Sequence, residues 1–243
     1  MGLWSRHHSI AAARNAIEDH RRRSAIMRSM TAAPPRVQSN AFLALLAFAV
    51  LGAGMLFAVW RGEHKPGIPG LLWPDPPTLQ AFSLTRADGA AFTEADLRGR
   101  WTFMFFGFTQ CPDVCPSTLS VLKQVKAGLA DDASFRELGQ VLFVSVDPAR
   151  DTPERIGPYV RYFDENFEAA TGPEDALTTL TRQIGVIFAR IPGSGDDYTM
   201  DHTASIFLVD PQLRVLSVFG LPHDATEIAA RYRAVVAFAE SHP

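Results

Sequence analysis

One stretch restricts the possible folds more than any other. Residues 101–122, WTFMFFGFTQCPDVCPSTLSVL, pass from an apolar and aromatic run into a Gly-containing turn that holds both cysteines of the chain, Cys111 and Cys115. Pro116 then opens a segment in which Leu119, Leu122, Val125 and Leu129 recur at helical spacing. The order predicts strand, loop, helix. No period-2 polar positions interrupt residues 101–106, which suits a strand buried on both faces. Both sulfurs then sit at a strand's C-terminal end. Pro116 suits a first helical turn, where its missing N–H would have no partner, and the free N–H groups of that turn favour nearby anions. On this reading Cys115, just ahead of the helix, ionises more easily than a free cysteine.

The surrounding chain alternates in kind. Before the central run, Phe82, Ser83 and Leu84, an Asp88-Gly89 turn and Phe92 signal a short hairpin. After the helix comes a second apolar run, residues 141–146, and a helix between two such runs is a βαβ unit with parallel strands and a right-handed crossover. The two strand ends share one edge. Asp147 follows the second strand as Cys111 follows the first, and ligands of open α/β sheets gather outside such ends. Asp151, Thr152 and Pro153 read as a helix start with Glu154 in its first turn; turn and capping chemistry is the plain alternative role for Asp147 and Asp151. A helical pattern over 173–184, a strand over 186–191 and a flexible loop, PGSGDDYTMDH, come next. Residues 204–209 and 214–219 form a hairpin across Asp210-Pro211-Gln212, and a last helix has Asp224 as N-cap with Glu227 three residues on.

The first sixty residues are of another character. Residues 1–40 hold seven arginines (Arg6, Arg14, Arg21, Arg22, Arg23, Arg28 and Arg36) and two acids, Glu18 and Asp19, with no sustained apolar face. They read as a mostly disordered basic tail; the alternatives are a short amphipathic helix over 10–26 and a start at Met27 or Met30. Residues 41–60, AFLALLAFAVLGAGMLFAVW, carry no charge, and twenty helical residues span the roughly 30 Å hydrocarbon core. A signal h-region is usually shorter and ends in an A-x-A-like site, whereas this run ends Ala58-Val59-Trp60, so an uncleaved single-span anchor is expected over a cleaved signal or a buried helix. The arginine bias places the N-terminus in the cytoplasm and the rest outside. Residues 61–77, rich in Pro and Gly, read as a tether, and 78–243 suffice for one compact domain.

Charge narrows the function classes. Removing those seven arginines and two acids from the 23 basic and 26 acidic residues of the chain leaves 16 against 24 beyond position 60. That balance argues against nucleic-acid binding and offers no repulsion to a metal cation or a basic partner. A disulfide across a three-residue gap removes little chain entropy, so the cysteine pair is a poor structural staple. Its spacing is one residue longer than the redox C-x-x-C motif, and both thiolates can still converge on one point. Two soft sulfur ligands favour Cu(I) or zinc, and either wants a third ligand. His202 stands between a Gly/Ser/Asp loop and an apolar strand, where a scaffold can carry a loop over a site. His64, His223 and His242 have no such context, and Met200 reads as packing or loop. Trp73, Trp101 and the phenylalanines read as core and rim.

Taken together, GFTQCPDVCPSTL, SVDPARDTPE and DYTMDHTASIFLVDP resemble the Sco/SenC family of membrane-anchored copper proteins. The resemblance covers 78–243, and the anchor in front matches as well. It implies an α/β, thioredoxin-like fold, a central mixed sheet flanked by helices, behind a single N-terminal transmembrane helix. It further implies Cu(I) and Cu(II) binding through two cysteines and one histidine, here Cys111, Cys115 and His202, and a part in assembling the binuclear copper centre of cytochrome c oxidase subunit II. Many members carry His before the first cysteine, where this chain has Gln110, a departure that touches local hydrogen bonding or partner recognition. The implied protein is a copper metallochaperone of the bacterial cytoplasmic membrane with its domain in the periplasm. Its implied partners are subunit II and other copper carriers or thiol reductants. The alternative is a thiol-disulfide oxidoreductase that uses Cys111 and Cys115 as a redox pair to keep the target cysteines reduced; a weaker third reading is a peroxidase-like enzyme, since one fold hosts several chemistries.

Overall fold

The computed structural model describes residues 38–62, 67–193 and 197–242. The basic tail, apart from its last three residues, and part of the tether lie outside these. The chain divides into two compact units, 1–64 and 65–243.

In the first unit the charge-free run folds as α1 (Gln38–Gly62), 25 residues long. Its described side chains, 41–57, are all exposed. Among the described residues no helix is long and apolar enough to cross a membrane. Ala58, Val59 and Trp60, which complete the expected span, lie outside the described side chains.

The second unit is built on a seven-stranded sheet. In chain order its elements are β1 (Ser83–Arg86), β2 (Ala91–Thr93), β3 (Trp101–Gly107), α2 (Val114–Gly128), α3 (Ala133–Leu138), β4 (Gly139–Ser145), α4 (Pro153–Arg161), β5 (Glu168–Thr171), α5 (Glu174–Ile184), β6 (Phe188–Pro192), β7 (Tyr198–His202), β8 (Ile206–Val209), β9 (Val215–Phe219) and α6 (Ala225–Ser241). The strand order is β2-β1-β5-β4-β3-β8-β9, and β6 pairs with β7 in a sheet of two strands. β3, β4 and β5 run parallel, while β1 and β8 flank them antiparallel. This is the mixed α/β sheet the resemblance implied.

β3 shows why its sequence lacks a polar alternation. Trp101, Phe103 and Phe105 enter a core with Leu119 and Leu122 of α2, Ile156 of α4 and Tyr232 of α6. Met104 and Phe106 enter a second core with Leu142, Val144 and, from α5, Leu177 and Leu180. Every residue of the strand is buried, and a fully buried Phe or Leu contributes about 1.5–3 kcal/mol.

Four departures matter. α2 starts at Val114 with Asp113 as its N-cap residue, two residues before Pro116, so Cys115 lies inside the first turn. The segment expected as a flexible loop ends in a strand, β7, because residues 198–202 pair residue for residue with β6; residues 194–196 are outside the description. Strand β5, EAAT, gives little β signal of its own and is fixed by pairing with β4 and β1. The second half of the expected tether also has partners. Leu72 N–H donates to Leu216 O at 2.8 Å and Val218 N–H to Gly70 O at 3.0 Å. Gly70 has φ +69° and its Cα faces Val218 O so closely that a Cβ would fall 2.4 Å away, so only glycine fits that turn.

Candidate metal centre

β3 and β4 are in register with Gly107 opposite Ser145, so both chains leave the sheet at one edge. Cys111 lies in the turn after β3, where its N–H donates to Phe108 O at 3.2 Å. Cys115 is in the first turn of α2, and His202 is the last residue of β7. The structure brings the three together: one ligand atom from each lies within 4.8 Å of the others. Cys115 Sγ is 3.5 Å from His202 Nε2, and the Cys115 N–H donates to Cys111 Sγ at 3.4 Å. Cys115 is fully buried, whereas Cys111 and His202 are half-buried.

The histidine is oriented for this role. Its Nδ1 lies 3.2 Å from Thr203 O; a carbonyl only accepts, so Nδ1 carries the proton and the Nε2 lone pair faces the sulfurs. Such a hydrogen bond from the far ring nitrogen is what fixes the tautomer of metal-ligating histidines. Phe105 and Phe108 meet the ring in T-shaped contacts at 6.1 and 5.9 Å.

The two thiols differ, and Cys115 departs from the easy ionisation the sequence reading expected. Hydrogen bonding from Cys115 holds the Cys111 thiol far below its ordinary range against the opposing effect of burial. The bond to Cys111, together with burial, pushes the Cys115 thiol up. The easily ionised sulfur is thus the half-exposed Cys111. Proximity to the helix start does not rescue Cys115, because its sulfur is turned into the core. Both cysteines are free thiols. Two soft sulfurs and an imidazole nitrogen on one point form a donor set for Cu(I), Cu(II) or zinc.

Three further residues shape the site. A Cβ on Gly107 would lie 2.7 Å from Cys115 Sγ and 2.9 Å from Phe143 Cε2, so the strand end must be glycine for the sulfur to fit. Asp151 is fully buried and accepts from the Thr109 N–H at 2.8 Å, the Thr109 hydroxyl at 2.5 Å and the Ser145 hydroxyl at 2.6 Å. It joins the cysteine turn to the end of β4, and Thr152 is the N-cap residue of α4. Asp147, also buried, bonds Arg150 and Tyr198. The sequence signal for Gly107 and Asp147 was a place at a strand end and for Asp151 a place at a helix start; what could not be read was that the two carboxyl side chains bond across the edge.

The remaining candidates have structural surroundings. His223 bridges the Thr118 hydroxyl at 3.2 Å and Phe219 O at 3.3 Å, and burial holds its imidazole below the ordinary range. His242 stacks on Phe238 at 4.1 Å, Met200 packs against both cores, and Gln110 is exposed beside Cys111. His64 lies outside the described residues.

An α/β domain that converges two cysteines and a histidine at a sheet edge defines a class of thiol-and-metal proteins, and the comparisons narrow it. The SCO1/SenC family model matches residues 74–237. The human mitochondrial SCO1 homolog is 37% identical over 150 residues, covering 61% of this chain and 50% of that protein. A structure of Bradyrhizobium japonicum ScoI with copper bound matches with TM-score 0.58 and 36% identity, covering 64% of this chain and 98% of that one. One of Arabidopsis thaliana ScoI with copper bound matches with TM-score 0.61 and 30% identity, covering 65% and 97%. The chain spans about half the length of the mitochondrial relatives it matches. This chain belongs to the SCO1/SenC family.

Proposed function

We propose that this protein is a copper metallochaperone that binds copper as Cu(I) and Cu(II) through Cys111, Cys115 and His202. The observation that carries the reading is the convergence of the three donors with the Nε2 lone pair already turned toward the sulfurs. The copper is cargo, delivered to the binuclear copper centre of cytochrome c oxidase subunit II. Cys111 is half-buried, so an incoming ligand from a partner can reach its sulfur while Cys115 stays inside. A second reading, disulfide exchange that keeps the partner's cysteines reduced, draws on the thiol asymmetry: a half-exposed, easily ionised Cys111 beside a buried Cys115 is the pattern of an attacking and a resolving thiol.

His202→Ala separates the two, since exchange needs only the thiols. A carrier with this change should keep one Cu(I) on the sulfurs but lose its Cu(II) complex, because Cu(II) calls for imidazole nitrogen, and oxidase assembly in cells should fail. Normal oxidase activity from folded, membrane-bound His202→Ala protein would refute the carrier reading and leave exchange.

The charge-free run and the arginines before it support a single-span anchor in the bacterial cytoplasmic membrane, with 61–243 in the periplasm and 1–40 inside. A phosphatase reporter that folds only outside the cytoplasm should be active when fused after Pro243. Activity of a cytoplasm-only reporter at that position would reverse the topology.

A further inference from the structure

His202 is carried by an arm rather than by the main sheet. β6 and β7 pair only with each other, and among the described residues no backbone-to-backbone hydrogen bond ties them to the seven-stranded sheet. A cavity of about 190 Å³, lined by Asp147, Pro148, Arg190 and Met200 among others, separates part of the hairpin from the body. Side chains must therefore decide where the hairpin rests. Tyr198, Met200 and His202 are the part-buried positions of β7 and alternate with exposed Thr199 and Asp201, so one face of the strand meets the body.

The far end of that face is fastened by a compact cluster. The Tyr198 hydroxyl donates to Asp147 Oδ1 at 2.7 Å. Arg150 donates from Nη1 to the Tyr198 carbonyl at 2.8 Å and from Nε to Asp147 Oδ2. The Arg150 guanidinium lies over the Tyr198 ring at 3.6 Å, and Arg190 lies over the same ring at 4.1 Å. Arg150 also reaches the Phe108 ring at 5.8 Å, and Phe108 meets the His202 ring edge-on at 5.9 Å. One guanidinium thus touches both the arm's anchor and the aromatic that backs the histidine.

We propose that Asp147, Arg150 and Tyr198 form a latch that positions the β6–β7 hairpin and, through it, His202 over Cys111 and Cys115. The consequence for copper rests on the carrier reading above. Tyr198 lies four residues from His202, about 13 Å along a strand, so these are positioning residues that touch no ligand atom. With the latch closed, His202 stands at the sulfurs and the site is complete for Cu(II). With it open, the hairpin swings and leaves the two-sulfur mode suited to Cu(I). Since the body supplies Asp147 and Arg150 from the segment after β4, a partner that draws on either side chain would loosen the histidine without touching the thiols.

The test uses the full chain in mild detergent, with Tyr198→Ala and the milder Tyr198→Phe, which keeps the ring between the guanidiniums and removes one hydrogen bond. In copper-free protein, amide hydrogen exchange over 198–203 should rise at least tenfold in Tyr198→Ala and less in Tyr198→Phe, while β3 and β4 keep wild-type protection. With copper alone as the probe, Cu(II) affinity should fall about 10- to 100-fold and the thiolate-to-Cu(II) absorption should weaken, with Cu(I) binding within about threefold of wild type. Wild-type exchange and a wild-type Cu(II) spectrum in Tyr198→Ala would overturn the latch. Should that variant not fold, unchanged exchange in Tyr198→Phe together with Asp147→Asn would overturn it instead. If His202→Ala itself retains the Cu(II) band, the ligand reading has failed, and the copper-free exchange still judges the latch.

Discussion

Closing Cys111 and Cys115 into a disulfide is expected to lower Cu(I) affinity by at least about 1,000-fold, equivalent to about 4 kcal/mol. Both proposed sulfur ligands are lost in one step, because a metal is held by thiolates and a disulfide has none to give. His202 alone, half-buried and with its Nδ1 committed to Thr203 O, is left as one neutral nitrogen. The reduced protein should bind one Cu(I). Its affinity should rise with pH, and the sign follows from the thiols. Cys111 is held below its ordinary range and is ionised at neutral pH, whereas Cys115 is pushed up and keeps its proton. Binding must displace that proton, so affinity should climb about tenfold per pH unit across the neutral range. As pH falls far enough to protonate Cys111 too, the loss steepens. Competition against a Cu(I) chelator, on reduced and disulfide-closed protein at several pH values, reads both effects. Equal affinity in the two redox states would remove Cys111 and Cys115 from the site.

Much of this centre was legible in the sequence because its parts sit at element ends. An apolar run followed by a cysteine turn and a helical pattern locates Cys111 and Cys115 on a sheet edge, and the parallel βαβ rule puts Asp147 on the same edge. His202 needed the family resemblance, since no local pattern says that a strand 87 residues from Cys115 meets it. What failed did so for physical reasons. Residues 198–202 read as loop because Tyr, Thr, Met, Asp and His give no apolar run, yet their alternation of half-buried and exposed positions is that of a strand. Cys115 is harder to ionise than a free cysteine, against the sequence expectation, because the helix-start argument sees only sequence distance, whereas the hydrogen bond to Cys111 and then burial of the sulfur decide the matter. In the SVDPARDTPE motif, Asp147, Arg150 and Asp151 all make cross-edge bonds. Periodicity carries no information about such long-range polar pairing, and polar residues after a strand read first as turn.

Asp151→Ala should destabilise the fold by about 3 kcal/mol and loosen the cysteine turn along with it. The carboxyl group has no exposed surface and receives three donors, the Thr109 N–H and the hydroxyls of Thr109 and Ser145. Each buried donor left without a partner costs about 1–3 kcal/mol. Three such losses do not add in full, because the hydroxyls can rotate toward other acceptors, while the backbone N–H of Thr109 is fixed in direction by the chain. That places the total near the cost of one complete loss plus two partial ones. Asp151→Asn keeps the shape and one acceptor oxygen but points an amide N–H₂ where the other oxygen stood. A hydroxyl can turn to accept from it, whereas the Thr109 N–H needs the remaining oxygen, so the loss should be smaller, about 1–2 kcal/mol. In a domain of this size 3 kcal/mol lowers the melting temperature by about 6–12 °C. Thr109 is two residues from Cys111, so the Ala variant should also alkylate faster at the cysteines than the wild type does at the same pH. A midpoint of urea unfolding within about 0.5 kcal/mol of wild type for Asp151→Ala would mean that the cysteine turn is held by its backbone alone and that Asp151 is incidental to it.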